Sequence, residues 1–425
     1  MANRPLSPTP PPRLYRWTDP PVLGLALVGA AAGFGQFGAV AALADVAATF
    51  GEVTDGDDLT LAEQAGLSGT VLGLGLAIIR LSSLLSLPLA GMADRAGRRR
   101  TLVGFASLGL VIVAVSSLSP GYWWFVLLFA ASRPLLTAAN AVALTSTAEQ
   151  TSSADRSRAM ALLAAGFGVG AGGFAVVRGL LGDDVSFRPV FALALVALAV
   201  VALAHRFIVE PDRFRQLEDT AQRPPRLGTV PRHYLGRLGP VLVVGFAIAV
   251  VTGPANSFVF LYSESVLDLS ASITAILVVA AGLTGLLGLL AGRWGADNLG
   301  RRPTAAIGLV GVCAAGVLTY SGSVPALAAG YLLAVAAGSV FAPAAGSLHA
   351  ELFPTSVRAT VAGWTVAAGV LGAVSGLLLF GFAADRLDRF DLAAAIVFVP
   401  AALAAIALWR LPETRGLELE TSAPG

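Results

Sequence analysis

Arginine side chains inside long apolar stretches are the residues of this chain most able to bind a charged ligand. Arg133 lies in the middle of the apolar run 121–147, and Thr137 and Asn140 follow it by four and seven residues. On a helix this spacing places the three side chains on one face. A guanidinium can bind a carboxylate or phosphate through two parallel hydrogen bonds. The stripe therefore predicts a polar surface, led by Arg133, that faces a cavity and binds an organic anion.

A second arginine, Arg80, interrupts the run 67–90. It precedes Gly91 by eleven residues, about three helical turns, so that both residues share one face. An arginine near the centre of a bilayer costs roughly 2.5–3.5 kcal/mol and usually faces a cavity or a partner. We expect Arg80 to point towards such a cavity. The alternative is a structural arginine that caps a carbonyl of a neighbouring helix.

Neutral polar residues are further candidate ligands. Thr252 and Asn256 lie four residues apart in the run 238–262, and Gln36 lies within 21–48. Each of them also fits a simpler role in helix packing. Near one end of the membrane, Asp45 and Arg178 are candidates for an ion pair that forms an outer gate. Glu264 is expected on the same outer side.

The composition shows which elements must position these residues. The chain is 56% hydrophobic and 13% charged, with a mean hydropathy of +0.77, whereas soluble domains carry about 25% charged residues. Most of the chain must therefore face lipid. A membrane helix needs about 20 apolar residues. Twelve segments qualify: 21–48, 67–90, 101–119, 121–147, 159–182, 189–209, 238–262, 271–293, 304–321, 324–348, 359–383 and 391–409. The predicted fold class is an all-α membrane protein.

Arginine-rich loops alternate with arginine-poor loops along these segments, and the positive-inside rule assigns the arginine-rich loops to the cytoplasm. The sequence thus predicts a multi-pass protein of the cytoplasmic (inner) membrane with both termini in the cytoplasm. The first loop of the opposite side, residues 51–64, contains acids and no arginine.

Two parallel repeats are indicated by charged residues that recur at a nearly constant offset. Asp94 and Asp297 lie 203 residues apart, and Glu149 and Glu351 lie 202 apart. The predicted organisation is two pseudo-symmetric six-helix bundles with a solute site between them. The proposed divisions are a disordered tail 1–20, a bundle 21–210, a linker 211–237, a bundle 238–410 and a tail 411–425.

Loop motifs resemble those of the major facilitator superfamily, in its sugar-porter, metabolite–proton symporter and organic-ion branches. "GMADRAGRRR" is similar to its signature between helices 2 and 3, and "ADNLGRR" to the degenerate copy between helices 8 and 9. "ELFPTSVRAT" and "LPETRGLELE" resemble later loops of the same family. Gly91 of the first motif is expected to let a neighbouring helix pack closely. The resemblance implies a cytoplasmic charge cluster that stabilises the outward-open state. Its residues are Gly91, Asp94, Arg95, Gly97, Arg98, Arg99, Glu149, Arg158, Asp297, Gly300, Arg301, Arg302, Glu351, Arg358, Glu413 and Arg415.

Two departures from the sugar porters are visible. Gln36 stands in "GFGQF", where their proton-coupling acid resides, and the helix-7 stretch lacks the paired glutamines. That stretch keeps Gly253, Asn256 and Tyr262, which adds Tyr262 to the candidate ligands. Coupling therefore stays open between a uniporter, an anion exchanger and proton coupling through Asp45 or another group.

The sequence predicts a secondary transporter, by the resemblance, for a small organic anion or polar metabolite. The alternatives are a proton-driven exporter of drug-like compounds and a neutral sugar porter. We find no phosphate-binding loop, no metal-ligand cluster and a single cysteine, Cys313. We therefore predict no enzyme activity, no cofactor or metal and no nucleic-acid partner. The expected partners are the solute, protons as a coupling ion and the lipid bilayer, for a monomeric protein.

Overall fold

Twelve membrane-length helices form the fold. The computed structural model describes residues 13–52, 60–152, 155–182, 186–211 and 234–415. Among these residues twelve helices are long and apolar enough to cross a membrane, and two residues pair as an isolated bridge, Tyr15 with Thr151. The predicted all-α membrane fold is confirmed.

The first six helices make the N-terminal half. Their bounds are α1 Pro20–Ala41, α2 Gly69–Ser82 continued by Ser86–Ala96, α3 Arg98–Ser116, α4 Tyr122–Gln150, α5 Arg156–Leu181, and α6 Phe187–Ala192 continued by Ala194–Ala204. A short helix, Leu43–Phe50, follows α1, and another, Leu61–Ala65, precedes α2.

The other six helices make the C-terminal half. Their bounds are α7 Leu235–Leu261 with a wide π-helical turn Tyr262–Val266, α8 Ala271–Asn298, α9 Arg301–Thr319, α10 Val324–Leu352, α11 Thr355–Leu387, and α12 Phe390–Ala402 continued by Ala405–Leu408. The ends of the predicted segments lie within seven residues of the ends of these twelve helices.

Local sequence explains how equivalent helices begin in the two halves. The Ser68 hydroxyl accepts from the Val71 amide at the start of α2, and the Ser270 hydroxyl accepts from the Ile273 amide at the start of α8. Serine is a favoured N-cap because its oxygen satisfies an amide that has no partner inside the helix. Ser68 and Ser270 lie 202 residues apart, which agrees with the repeat.

The described segments before α1 and after α12 lie on one face with the motif loops before α3 and α9, and this face is here named the terminal face. The Tyr15 amide donates to the carbonyl of Gln150, and Arg415 donates to the carbonyl of Asn298. The opposite face, here named the distal face, carries the loops between α1 and α2 and between α7 and α8.

The two halves meet along helix pairs that the repeat relates to each other. Helix α2 packs on α11, α5 packs on α8, and α1 contacts α7. Glycines permit the first of these contacts, because a Cβ at Gly73 would lie 2.5 Å from the backbone oxygen of Leu377. Small residues of this kind allow membrane helices to approach closely.

Each half also has its own aromatic core. Phe125, Phe187 and Phe191 contact one another edge to face in the N-terminal half. Tyr320, Phe380 and Phe390 form a corresponding group in the C-terminal half. Large side chains such as Leu180 and Leu287 are exposed on the outside of the bundle, where lipid would cover them.

Candidate functional site

A polar group joins α4 to α1 in the middle of the N-terminal half. Arg133 donates from Nη1 to the backbone oxygen of Gln36 at 2.9 Å. Thr137, one turn further along α4, donates to Gln36 Oε1 at 3.2 Å. The predicted stripe of Arg133 and Thr137 thus faces α1. Asn140, the third member of the stripe, follows Thr137 by three residues on α4 and is half-buried.

Arg80 adds a second positive charge close to the first. Its side chain is half-buried on α2, and its charge repels that of Arg133. Within the described part of the chain, no carboxylate pairs with either guanidinium. Gln36 Nε2 and Arg133 Nε are also buried there without a hydrogen-bond partner. The group therefore has a surplus of positive charge and of hydrogen-bond donors.

The candidate ligands of α7 are divided between two environments. Thr252 donates to the carbonyl of Ile248, and Asn256 donates to the carbonyl of Thr252, so both side chains bond within their own helix while remaining partly exposed. Tyr262 is buried in the aromatic core, and its hydroxyl accepts from the Gly322 amide at 2.8 Å. The structure therefore places Tyr262 away from the arginine group.

Three nearly buried charged side chains form a cross-half ion cluster at the distal face, here named the distal triad. Arg178 of α5 contacts both oxygens of Asp45 at 2.5 Å. The same guanidinium donates to both oxygens of Glu264 at 2.7 and 2.6 Å. The Asp45–Arg178 pair expected from the sequence is present, and its gating role stays a prediction. An ion pair in which a guanidinium donates two hydrogen bonds to one carboxylate is stronger than a pair with a single contact.

Glu264 is the member of the triad that belongs to the other half. It lies in the π-helical turn that ends α7. Sequence reasoning placed Glu264 on the outer side without assigning it a partner. No feature of the sequence around Glu264 could have identified Arg178 as its partner, since 86 residues separate the two.

At the terminal face, the first motif loop forms an ion cluster inside the N-terminal half. Arg98 donates from Nε and Nη2 to Glu149 at 3.1 and 2.8 Å. Glu210, after α6, accepts from the backbone amides of Arg98 and Arg99 at the start of α3. Gly97 precedes them at φ +95°, a left-handed conformation that glycine adopts without strain.

The second motif loop repeats this arrangement in the C-terminal half. Arg301 donates to Glu351 at 3.3 Å and to Asp297 at 3.3 Å. Glu413 accepts from the backbone amides of Arg301 and Arg302 at 2.9 and 3.1 Å. Gly300 has φ +117°. Glu210 was missed by sequence reasoning, although its distance of 203 residues from Glu413 was a usable signal.

The remaining loop residues make local contacts or face solvent. Arg99 donates to the carbonyl of His205, and Arg302 donates to the carbonyl of Leu411. Arg415 donates to the carbonyl of Asn298. Arg95 is exposed, as is Arg158, which approaches Asp155 only to 4.0 Å. The side chains of Asp94 and Arg358 lie outside the described residues.

Gly91 differs from its expected role. A Cβ added at Gly91 would have no heavy atom within 4 Å, so no neighbouring helix packs closely there. The segment Ser86–Ala96 packs on α3 and α4 of its own half. The expectation of a close helix contact at Gly91 is wrong for this conformation, because the halves approach each other at the distal end instead.

Comparisons with known proteins agree with this architecture. Residues 25–296 match the family profile described as Major Facilitator Superfamily, and residues 234–424 match the one described as Sugar (and other) transporter. Two similar solved structures are the inward-open xylose transporter XylE from E. coli and a D-xylose–proton symporter. They have TM-scores of 0.70 and 0.71 and identities of 19% and 20%. The alignments cover 94% and 93% of this chain and 98% of each structure.

Two further proteins are similar to this chain. The nucleoside transporter NupG has a TM-score of 0.68 at 11% identity, with 91% of this chain and 98% of that one covered. Among curated proteins, the MFS-type transporter lnaF of Aspergillus flavus is 26% identical over 250 residues, which are 56% of this chain. The matched region spans about half the length of that relative, 50%.

Proposed function

Because this chain belongs to the major facilitator superfamily, we propose that it is a secondary transporter that carries a small organic anion across the membrane by alternating access. The fold is that of a multi-pass membrane transporter. The negative charge of the solute is the part of the proposal that rests on Arg80 and Arg133. The transport cycle would expose the space between the halves to one side of the membrane at a time.

The observation that supports an anionic solute is the uncompensated positive charge of Arg80 and Arg133. Two buried guanidinium groups repel each other, and the described residues supply no carboxylate to pair with them. A carboxylate or phosphate of the solute would provide the missing negative charge and accept bidentate hydrogen bonds. Thr137 and Asn140 on the same face, with Thr252 and Asn256 of α7, would contact the rest of the solute.

A neutral sugar is the second candidate substrate. The likeness to two xylose transporters and the match of residues 234–424 to a sugar-transporter profile favour it. In that reading Arg80 and Arg133 are structural, and Gln36, Asn140 and Asn256 would bind hydroxyls. A drug-like cation is the third candidate, and it is opposed by the same two arginines.

The orientation and coupling of the carrier are also parts of the proposal. The positive-inside rule makes the terminal face cytoplasmic and the distal face external, in the cytoplasmic membrane. The distal triad would then close the external side in this conformation. A coupled proton would require a titratable group, and Asp45 and Glu264 of the triad are candidates for it. The loops at the terminal face would seal the cytoplasmic side in the alternate state.

Thermal unfolding of the detergent-purified protein with anionic, neutral and cationic metabolites tests the substrate class. A ligand that binds only the folded state stabilises it by about 2.7 kcal/mol at a hundredfold excess over its dissociation constant. We expect stabilisation by carboxylates or phosphorylated compounds, lost in Arg133→Ala and retained in the control Arg95→Ala, whose side chain is exposed. Stabilisation by sugars alone, unchanged in Arg133→Ala, would replace the anion with a neutral solute.

A further inference from the structure

A carboxylate of the C-terminal half caps a helix of the N-terminal half at the distal face. Asp385, near the end of α11, accepts from the Gly69 amide at 2.6 Å through Oδ1 and from the Thr70 amide at 2.7 Å through Oδ2. Gly69 and Thr70 are the first two residues of α2. The first four amides of a helix have no partner inside it, and the helix dipole favours an anion there.

Helix α2 already has a cap of its own. Ser68 accepts from the Val71 amide, as Ser270 does from Ile273 at the equivalent start of α8. Asp385 therefore satisfies the two amides that Ser68 leaves open. The start of α2 is thus capped in part by its own chain and in part by a residue of the other half, so that Asp385 joins the two halves.

The packing of α11 places Asp385 at this helix start. Gly381, one turn before Asp385, lies so close to α2 that a Cβ there would be 2.1 Å from the backbone oxygen of Gly69. Asp388, in the next turn, accepts from the Leu61 amide at 2.7 Å. The end of α11 thus holds both α2 and the short helix before it.

The contact that the repeat relates to this one has different chemistry. Gly179 of α5 lies 202 residues before Gly381, and Ser272 of α8 lies 202 residues after Thr70. There the Ser272 hydroxyl donates to the Gly179 carbonyl at 2.7 Å. In the described residues of these two helix pairs, the charged cap belongs to the α2–α11 pair.

We propose that Asp385 is a detachable cap that stabilises the conformation closed at the distal face. Its two hydrogen bonds require α11 to lie against α2. When the halves separate there, water must take over the amides of Gly69 and Thr70. Asp385 acts by positioning α2, does not contact Arg80 or Arg133, and would work in the same way for any solute.

The test measures the distance between the halves at the distal face and needs no substrate. Spin labels would be placed at Leu118→Cys and Ser321→Cys, which are exposed beside the distal ends of α3 and α9. The full-length protein would be reconstituted in lipid nanodiscs in a Cys313→Ala background, and the labels measured by double electron–electron resonance. Asp385→Asn removes the charge and one of the two acceptor oxygens, and should raise the ratio of long to short distances roughly five- to thirtyfold.

A second variant removes the donor instead of the acceptor. Thr70→Pro deletes one of the two amides, and proline is tolerated in the first turn of a helix. It should shift the distances in the same direction as Asp385→Asn and keeps the test available if that variant fails to fold. The matched control is Asp391→Asn, which removes a nearby carboxylate that pairs with Arg389 and makes no contact with α2.

Two results would overturn the proposal. One is an unchanged distance distribution in Asp385→Asn or Thr70→Pro. The other is an equal shift in Asp391→Asn, which would assign the effect to surface charge. A shift in the two variants with a silent control supports the cap.

Discussion

Arg178 and Glu264 bind each other through two hydrogen bonds of 2.7 and 2.6 Å and thereby connect α5 of one half to α7 of the other. Asp45 holds the remaining face of the same guanidinium from within the N-terminal half. Separation of the halves at the distal face must break the Glu264 contact and can leave the Asp45 contact intact. Glu264 is therefore the member of the distal triad whose loss should change the conformation most selectively.

Replacement of Glu264 by glutamine should favour opening of the distal face. The variant keeps the shape of the side chain and removes the charge that Arg178 binds across the halves. Hydrogen bonds to charged groups contribute about 1.5–3 kcal/mol, and the conformation that contains the contact bears their loss while Asp45 still pairs with Arg178. The check is the reactivity of a cysteine introduced at Phe37, which contacts Phe260 between the halves, with a membrane-impermeant thiol reagent.

The control for this prediction is Glu52→Gln, an exposed carboxylate of the same face. It should leave the cysteine reactivity at its parental value. Equal reactivity in the parent and in Glu264→Gln would show that the distal triad does not govern closure.

Gly73→Ala should also disfavour the conformation closed at the distal face. The new Cβ would lie 2.5 Å from the backbone oxygen of Leu377, so that α2 and α11 would have to move apart. The spin-label distances across the distal face measure this movement. Gly104→Ala is the matched control, because its Cβ would meet no atom within 4 Å. A normal short distance in Gly73→Ala would mean that the helices adjust locally.

Gln36→Glu should weaken anion binding at least tenfold. The new carboxylate would lie beside Arg133 and supply the negative charge that we assign to the solute. An added like charge near a bound anion costs several kcal/mol in a medium of low dielectric constant. Isothermal titration with the stabilising anion measures the dissociation constant. Gln36→Leu, without the charge, separates this effect from loss of the Thr137 contact, and an unchanged affinity in Gln36→Glu would contradict the proposed site.

Glu413→Gln should lower the stability of the protein by about 1 kcal/mol without changing the solute class. Its carboxylate caps the amides of Arg301 and Arg302 at the start of α9, and loss of a cap typically costs this amount. Glu210→Gln should have a similar effect at the start of α3. Thermal unfolding measures both, and a much larger loss in one variant would show that the two halves use their caps differently.

The sequence by itself determined the elements of this protein. Hydropathy and helix spacing are local properties of the chain, so the twelve helices, the repeat and the stripe of Arg133 and Thr137 were readable without coordinates. The loop motifs placed Arg98, Glu149, Arg301 and Glu351 in one charge cluster, and the structure pairs Arg98 with Glu149 and Arg301 with Glu351.

Only the tertiary structure decided which residues meet between the halves. The contact of Asp385 with Gly69 spans 316 residues, and that of Arg178 with Glu264 spans 86. The Tyr262 side chain lies in an aromatic core, and a Cβ added at Gly91 would have no heavy atom within 4 Å. Such contacts depend on how two rigid bundles are docked, and the same sequence must allow more than one docking if the halves alternate. The spacing of residues along the chain cannot specify which arrangement of the two bundles brings a given pair of residues together.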